Sequence, residues 1–279
     1  MAPPDLTRRE FVNLSVGYAL AVSPITAHAL TTPSGDLETG EAMISVGDKK
    51  SMPAYFAHPK KKGSYPVVIV IHEIFGVHEY IRDVCRRLAK EGFYAVAPYL
   101  YFRHGDATKI ADMTKLRTEI VGKVDQKTVW SDLDETTTWL GKQKSADASR
   151  VGLTGFCWGG SFVWTYAARN LKVKAGVAWY GRFVGEVSPL VAQYPLDIGA
   201  TLTVPVLGLY GEKDKGIPLD TIEKMRGELK KGKTKSEIIV FAGAEHGFHA
   251  DYRPSYHEAS AKEAWQKLLS WFKTHGLGA

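Results

Sequence analysis

The chemically most informative stretch of the chain is a cysteine flanked by glycines at the end of a short apolar run. The run 151–154 predicts a β-strand that leads into Gly155-Phe156-Cys157-Trp158-Gly159-Gly160, and a helix-compatible segment follows. A sharp strand-to-helix turn presents its central side chain at the end of the strand and aims the helix amides at it, which favours a thiolate. The pattern predicts that Cys157 is a nucleophile; the alternative is a buried structural cysteine.

A histidine and an acid, the usual partners of such a nucleophile, follow two later apolar runs. Asp214 comes shortly after the run 205–210, and His246 comes shortly after the run 237–241. In a parallel sheet, reactive residues lie just beyond the carboxyl ends of the strands. The order nucleophile, acid, histidine therefore predicts His246 as the general base and Asp214 as the acid that orients it.

Both assignments have alternatives within a few residues. Glu212 could be the acid, and Asp214 could instead serve a turn or a helix cap. His249 could be the base, or it could form a His-x-x-His metal pair with His246. Because a zinc site needs at least a third protein ligand and none is nearby, we predict no metal site.

Residues after the β-branched run 66–72 complete the predicted site. This run predicts a central strand buried on both faces, and Glu73 and Ile74 follow it directly. The backbone N–H groups of Ile74 and Trp158 are the expected oxyanion hole. Glu73 would lie near the thiol and could hold its proton in the resting enzyme; the alternative is an ordinary surface acid at a strand end.

The scaffold that must position these residues follows from alternating apolar runs and amphipathic segments. The alternation predicts an α/β class, with a doubly wound, mainly parallel sheet and helices on both faces. We expect one domain over residues 30–279, an exposed lead-in over 31–48, and pocket walls or a lid at 103–123 and 183–203. The predicted strands are 52–58, 66–72, 94–98, 151–154, 174–179, 205–210 and 237–241, and the principal helices are 77–90, 126–142, one from 218, and 258–272.

Composition excludes several other classes of protein. The chain has 279 residues, of which 44% are apolar, enough for a full core. Its net charge is +6, but the lysine runs at 60–62 and 230–235 lie beside glycines in predicted turns, so no nucleic-acid partner is expected. The only cysteines are Cys157 and Cys85, and Cys85 lies on a core-facing helical stripe, so no disulfide framework is expected. No glycine loop that could cradle phosphates occurs, and we predict no cofactor.

The first 29 residues are typical of a twin-arginine signal peptide. Arg8 and Arg9 precede the weakly apolar stretch 12–26, and Ala27-His28-Ala29 offers a cleavage site. The stretch is too short and too polar for stable membrane insertion. We therefore expect the export machinery as a partner and a periplasmic or secreted protein. If the segment is an amphipathic or disordered tail instead, the protein would be cytoplasmic.

Over residues 40–275 the chain resembles the dienelactone hydrolase (carboxymethylenebutenolidase) family, which has the α/β-hydrolase fold. The matching residues are His72-Glu73-Ile74-Phe75-Gly76, Ala97-Pro98-Tyr99-Leu100-Tyr101-Phe102-Arg103, Gly155-Phe156-Cys157-Trp158-Gly159-Gly160, Asp214 and His246-Gly247-Phe248. The resemblance implies Cys157 as nucleophile, His246 as base and Asp214 as orienting acid. It also implies that Glu73 contacts the thiol, and that a substrate carboxylate binds arginines and thereby activates the thiol.

The chain departs from the family pattern where the substrate would bind. Arg103 matches the first arginine, whereas Ala250 stands where the second is expected, and Arg253 is its candidate replacement. Gly247 replaces a serine, and Tyr99 replaces an aspartate. Arg103, Arg253 and Tyr101 are thus the candidate substrate contacts, and dienelactone itself is in doubt as the substrate.

The predicted function is hydrolysis of an ester or lactone, the expected small-molecule partner, through a Cys-His-Asp triad and a thioester intermediate. Two other functions are open at this point. One is a binding protein that kept the pocket but lost turnover, and the other is a peptidase-like hydrolase, which the cysteine disfavours.

Overall fold

The computed structural model describes residues 31–278, which form an eight-stranded sheet with helices packed against it. The strand order is β1-β2-β4-β3-β5-β6-β7-β8. The pairs β1–β2 and β2–β4 are antiparallel, and all other neighbours are parallel. The strands are Leu37–Ser45, Ser51–Pro59, Tyr65–Ile71, Tyr94–Pro98, Ala146–Phe156, Val173–Trp179, Val206–Gly211 and Glu237–Phe241 for β1 to β8.

Five helices connect or follow the parallel strands. They are Glu79–Lys90, Gln126–Leu140, Trp158–Arg169, Leu219–Lys231 and Glu258–Thr274, numbered α1 to α5. Shorter helical turns are Ala107–Lys109, Met113–Lys115, Leu116–Ile120, Val121–Lys123, Pro195–Ile198 and Gly199–Thr201. The strands and helices predicted from apolar periodicity all form, and the mainly parallel α/β sheet is confirmed. Helix α5 begins at Glu258, the start predicted from the apolar stripe of this segment.

The predicted lead-in over 31–48 is exposed at most positions, but it contains a strand that was not predicted. Residues 37–45 form β1, an edge strand paired with β2 along its whole length, from Leu37 opposite Pro59 to Ser45 opposite Ser51. Only Leu37 and Ile44 of this strand are buried, so its sequence lacks the regular apolar alternation that identifies a strand. Backbone pairing with β2, which no local pattern reveals, creates the strand.

The predicted export signal over residues 1–29 lies outside the described residues and stays a prediction. Within 31–278, no helix is long and apolar enough to cross a membrane.

The turn between β5 and α3 packs against β3 at backbone-to-backbone distance. A β-carbon on Gly159 would lie 2.3 Å from the Ile71 carbonyl oxygen and 2.6 Å from that of His72. Only glycine permits such an approach. The elbow therefore lies directly beside the segment that leaves β3, and both reach the carboxyl-end edge of the sheet.

Replacing this glycine tests whether the close approach is required. We expect Gly159→Ala to lower the free energy of unfolding by about 1–3 kcal/mol or more, because the methyl group forces two backbones apart. Gly227→Ala in α4 is the matched control. Apart from its own helix backbone, no atom lies within 4 Å of the added carbon, so this substitution at an exposed helical position should stabilise the protein by up to about 1 kcal/mol. Urea unfolding of both variants measures the difference, and equal effects would contradict the packing described.

Candidate active site

Cys157 lies at the end of β5 in a strained backbone conformation. Its φ is 54° and its ψ is −112°, values that a side chain other than glycine rarely adopts. Its N–H donates to the Trp179 carbonyl at 3.0 Å, which joins the elbow to the end of β6. The thiol is therefore held half-buried above the sheet edge, immediately before the N-terminus of α3.

Asp214 and His246 meet beyond the ends of β7 and β8. The His246 Nδ1–H donates to Asp214 Oδ2 at 2.7 Å, and the Gly216 N–H donates to the other carboxylate oxygen at 2.8 Å. The Asp214 side chain is fully buried. Glu212, the alternative acid, accepts from the Gly243 N–H at 2.8 Å on the exposed side of the same loops. The geometry thus favours Asp214 as the partner of His246.

His246 and Cys157 shift each other's pKa in opposite directions. Burial by itself raises the pKa of Cys157, but the His246 charge and hydrogen bond outweigh it and bring that pKa below the usual thiol value. Burial lowers the pKa of His246, while Cys157 and the Asp214 carboxylate raise it well above the usual value. Each group stabilises the charged form of the other, so the arrangement favours a thiolate–imidazolium pair.

His249, the alternative base, belongs to the core. The Tyr80 hydroxyl is 2.6 Å from its Nδ1, and its ring stacks on Trp265 with 5.6 Å between centroids. Burial lowers the pKa of His249 to about 3, so its imidazole is neutral. Within residues 31–278, no three His, Cys, Asp or Glu side chains are grouped as metal ligands.

Glu73 is a fully buried carboxylate in a ring of donors. Tyr252 donates its hydroxyl to Oε2 at 2.6 Å, His78 Nε2 lies 3.2 Å from the same oxygen, and Arg253 Nη2 lies 3.1 Å from Oε1. Burial raises the pKa of Glu73, but Arg253 and His78 outweigh it and lower that pKa to about 2. Glu73 is therefore ionised, and its charge raises the pKa of Cys157 against the effect of His246. The ordinary surface-acid alternative does not fit this burial.

Arg253 reaches the site from seven residues beyond His246. It is 8% exposed, pairs with Glu73, and its positive charge lowers the pKa of Cys157, after the larger effects of burial and His246. Gly247 makes room for it, because a β-carbon there would lie 2.8 Å from Arg253 Nη1. Gly247 also has a φ of +78°, which glycine adopts without strain. The structure thus places Arg253 against Glu73, the internal carboxylate whose charge also acts on the thiol.

The two predicted oxyanion amides lie on segments that touch. Ile74 is in the turn after β3, and its N–H makes no backbone hydrogen bond among the described residues. Trp158 is the first residue of α3, where N–H groups have no partner within the helix. The His72 and Trp158 rings stack with 5.3 Å between centroids, which joins the two segments beside Cys157.

Arg103 does not join this group. Its Nη1 donates to Asp132 at 2.5 Å and its Nε donates to Asp48 at 2.9 Å, so two carboxylates occupy the guanidinium. The predicted substrate contact at Arg103 therefore receives no support from its position. Tyr101, two residues earlier, does lie at the site, with its ring 4.8 Å from that of Trp158.

Three further residues of the site were not predicted from the sequence. Tyr180 has a φ of +38°, and its buried ring packs edge-on against His246 with 5.1 Å between centroids. Because it directly follows β6, the strand-end rule that indicated Asp214 would also have indicated Tyr180. His78 and Tyr252, which hold Glu73, follow no strand and carried no comparable signal.

Comparison with known proteins gives the same family as the matching motifs. The model of the dienelactone hydrolase family matches residues 52–276. A Salmonella typhimurium protein named "Putative carboxymethylenebutenolidase" is 50% identical over 262 residues, covering 93% of this chain and 96% of the relative. A Methylorubrum extorquens protein of the same name is 45% identical over 279 residues, covering 99% of this chain and 96% of the relative.

A solved structure extends the similarity to three dimensions. The crystal structure of a "Putative Dienelactone Hydrolase" from Klebsiella pneumoniae is 51% identical and superposes with a TM-score of 0.83. The match covers 85% of this chain and 98% of the other. With the elbow, the strand order and the sequence matches in agreement, the chain belongs to the dienelactone hydrolase family, a family of hydrolases with the α/β-hydrolase fold.

Proposed function

We propose that this protein hydrolyses an ester or lactone through a thioester on Cys157, with His246 as general base and Asp214 as orienting acid. The observation that carries the proposal is the position of His246. One ring nitrogen donates to Asp214 at 2.7 Å, and the other has no partner among the described residues apart from its interaction with Cys157. Three residues from the ends of three strands thus form the relay that acyl transfer needs.

Acylation would begin with attack of Cys157 Sγ on the carbonyl carbon, forming a C–S bond while the carbonyl oxygen becomes an oxyanion. The N–H groups of Ile74 and Trp158 would donate to that oxyanion. Collapse breaks the C–O bond, and His246 Nε2 gives its proton to the departing alkoxide. A water then loses a proton to His246 and attacks the thioester, which releases the acid and restores the thiolate.

The nucleophile is tested by comparing the two cysteines in the full chain. We expect Cys157→Ala to reduce hydrolysis of activated short-chain esters and a panel of lactones by at least about 10³-fold, because no acyl-enzyme can form. Cys85→Ala is the control, since Cys85 is buried on the core-facing side of α1 and burial raises the pKa of its thiol. Equal activity in both variants would show that Cys157 is not the nucleophile, and no turnover by wild type would favour a binding role.

The ion pair is tested by the pH dependence of alkylation. Because His246 lowers the pKa of Cys157, iodoacetamide should label Cys157 rapidly below pH about 8.5, the usual thiol pKa. In His246→Ala the imidazole no longer stabilises the Cys157 thiolate, while burial and the Glu73 charge still oppose its ionisation. The pH midpoint of Cys157 alkylation should therefore move to a higher value. Cys85 in the Cys157→Ala variant should react only after unfolding. An unchanged midpoint in His246→Ala, measured by mass spectrometry, would rule out the pair.

The Glu73–Arg253 pair should stabilise the fold as well as tune the thiol. Glu73→Gln leaves Arg253 buried without its counter-charge, and we expect a loss of about 3–5 kcal/mol in the free energy of unfolding. The double variant Glu73→Gln/Arg253→Met should recover part of this loss. It serves as the control, because it removes both charges together.

The stability that Glu73→Gln loses should decrease as the pH falls. The pKa of Glu73 is about 2 in the folded protein against 4.5 ordinarily, so its contribution is complete above pH 4.5 and is lost as pH falls toward 2. The stability difference between wild type and Glu73→Gln should therefore shrink in acid. A difference that stays constant from pH 7 to pH 3 would contradict an ionised Glu73.

A further inference from the structure

The Tyr252 hydroxyl connects the two members of the Glu73–Arg253 ion pair. It donates to Glu73 Oε2 at 2.6 Å and accepts from Arg253 Nε at 3.1 Å. His78 Nε2 lies 3.2 Å from the same Glu73 oxygen, and because a carboxylate oxygen only accepts, this nitrogen carries a proton. Two donors from separate segments, the turn before α1 and the loop after β8, therefore meet on one oxygen of a fully buried carboxylate.

The other oxygen of Glu73 is held less firmly. Oε1 lies 3.1 Å from Arg253 Nη2, but neither atom makes a hydrogen bond among the described residues. Within residues 31–278, no hydrogen bond joins Glu73 to the Cys157 sulfur. The direction in which the carboxylate points is therefore set by the two contacts at Oε2 rather than by a bond to the thiol.

Ring packing fixes the two donors. The rings of His78 and Tyr252 meet edge-to-face with 5.0 Å between centroids, and the Tyr80 ring lies 5.3 Å from that of Tyr252 and 5.9 Å from that of His78. Tyr80 is itself buried, and its hydroxyl lies 2.6 Å from His249 Nδ1 in the core. The hydroxyl and the imidazole that face Glu73 are therefore braced against the core as well as against the carboxylate.

Most of the titratable groups around Glu73 are uncharged near pH 7. Those that interact with its charge are Arg253, Tyr252, His78, Tyr80, Tyr180, His72, His249 and Cys157. Burial raises the pKa of the three tyrosines well above the usual value, and it lowers the pKa of His72 to about 4 and that of His249 to about 3. The position of Glu73 between Arg253 and the thiol therefore decides how strongly its charge opposes a thiolate.

We propose that Tyr252 and His78 are positioning residues for Glu73. They hold its carboxylate on the side of Arg253, away from the Cys157 sulfur, and so leave the thiol proton to the general base. Without these donors Oε2 would be a buried acceptor with no partner, and the S–H group of Cys157 would be a donor close by. A thiol that donates to a carboxylate stays neutral and does not attack a carbonyl. The inference rests on the proposed thioester mechanism and names residues that set how readily its nucleophile forms.

Removing the Tyr252 hydroxyl from the full chain tests the proposal. In Tyr252→Phe the ring stays while Oε2 loses its closest donor, so the negative charge of Glu73 acts more strongly on the thiol. We expect the pH midpoint of Cys157 alkylation by iodoacetamide to rise by about one unit or more, with labelling at about pH 6 slowed roughly tenfold. Mass spectrometry of the labelled peptide gives the rate. A midpoint equal to that of wild type would overturn the role of Tyr252.

Tyr256→Phe is the matched control. Tyr256 lies in the same loop but contributes no donor to Glu73 among the described residues, so this variant should keep the wild-type midpoint. An equal rise in Tyr252→Phe and Tyr256→Phe would show that the loss of either hydroxyl from this loop affects the thiol, and it would contradict a specific contact between Tyr252 and Glu73.

A background without the carboxylate separates positioning of Glu73 from a general structural role. In Glu73→Gln/Arg253→Met there is no charged oxygen to hold, so adding Tyr252→Phe should leave the alkylation midpoint of that double variant unchanged. A rise as large as in the otherwise wild-type chain would mean that Tyr252 acts on the thiol by another route, and the proposal would be wrong.

His78 provides an independent test, which decides the point if urea unfolding shows that Tyr252→Phe does not fold. His78→Leu removes the second donor at Oε2 and should raise the alkylation midpoint. His78→Gln should restore much of the wild-type value, because its amide nitrogen can occupy the position of Nε2 and donate there. Equal midpoints in His78→Leu and His78→Gln would overturn the role of His78.

Failure of this inference can be told apart from failure of the proposed function. Ester hydrolysis that disappears in Cys157→Ala, combined with unchanged alkylation midpoints in Tyr252→Phe and His78→Leu, would overturn only the positioning roles. Hydrolysis that persists in Cys157→Ala would overturn the thioester mechanism itself.

Discussion

The close approach of the Gly159 backbone to the end of β3 is the constraint on which the site depends. With 2.3 Å between the position of a β-carbon and the Ile71 carbonyl oxygen, the elbow has no freedom to move toward the sheet. Cys157 holds the strained turn with a positive φ of 54°. Because Ile74 follows β3 at the same place, Cys157 and the predicted oxyanion amides are positioned by one backbone contact rather than by separate loops.

Charges around the thiol act in opposing pairs. His246 and Arg253 lower the pKa of Cys157, whereas burial and Glu73 raise it. Asp214 supports His246, and Tyr252 helps to hold Glu73. The net result is a thiol that ionises more easily than usual in a buried setting where ionisation alone would be unfavourable. Replacing one of the charged residues by a neutral one should therefore shift the pKa of the Cys157 thiol in the direction that the sign of the lost charge predicts.

The surroundings of the thiol differ in character from a cavity beside the elbow. Around the thiol, ion pairs are buried close together, whereas the cavity, of about 370 Å³, is lined by the rings of His72, Tyr99, Tyr101 and Phe102. The missing side chain at Gly247 leaves space for the Arg253 guanidinium, which pairs with Glu73 on the thiol side.

The sequence by itself determined the order of β2 to β8 and of the helices, the elbow, and the candidate residues of the proposed triad. These features leave local signals: apolar runs bounded by glycine, and reactive residues placed just after strands. It could not predict β1, whose pairing with β2 is a long-range backbone contact over a weakly apolar strand. It also left Glu212 and Asp214 as alternative acids after β7, and His246 and His249 as alternative bases in one loop. Their burial and hydrogen-bond partners separate them.

Only the tertiary structure decided which arginine lies at the site. Arg103 matched a motif, but it is paired with Asp48 and Asp132, residues far from it along the chain. Arg253 matched none, yet it pairs with Glu73, 180 positions earlier in the sequence. A motif records the type of a residue and its local spacing. The pairing of a charge depends on which distant carboxylate the fold brings within about 3–4 Å, and no local pattern encodes that distance.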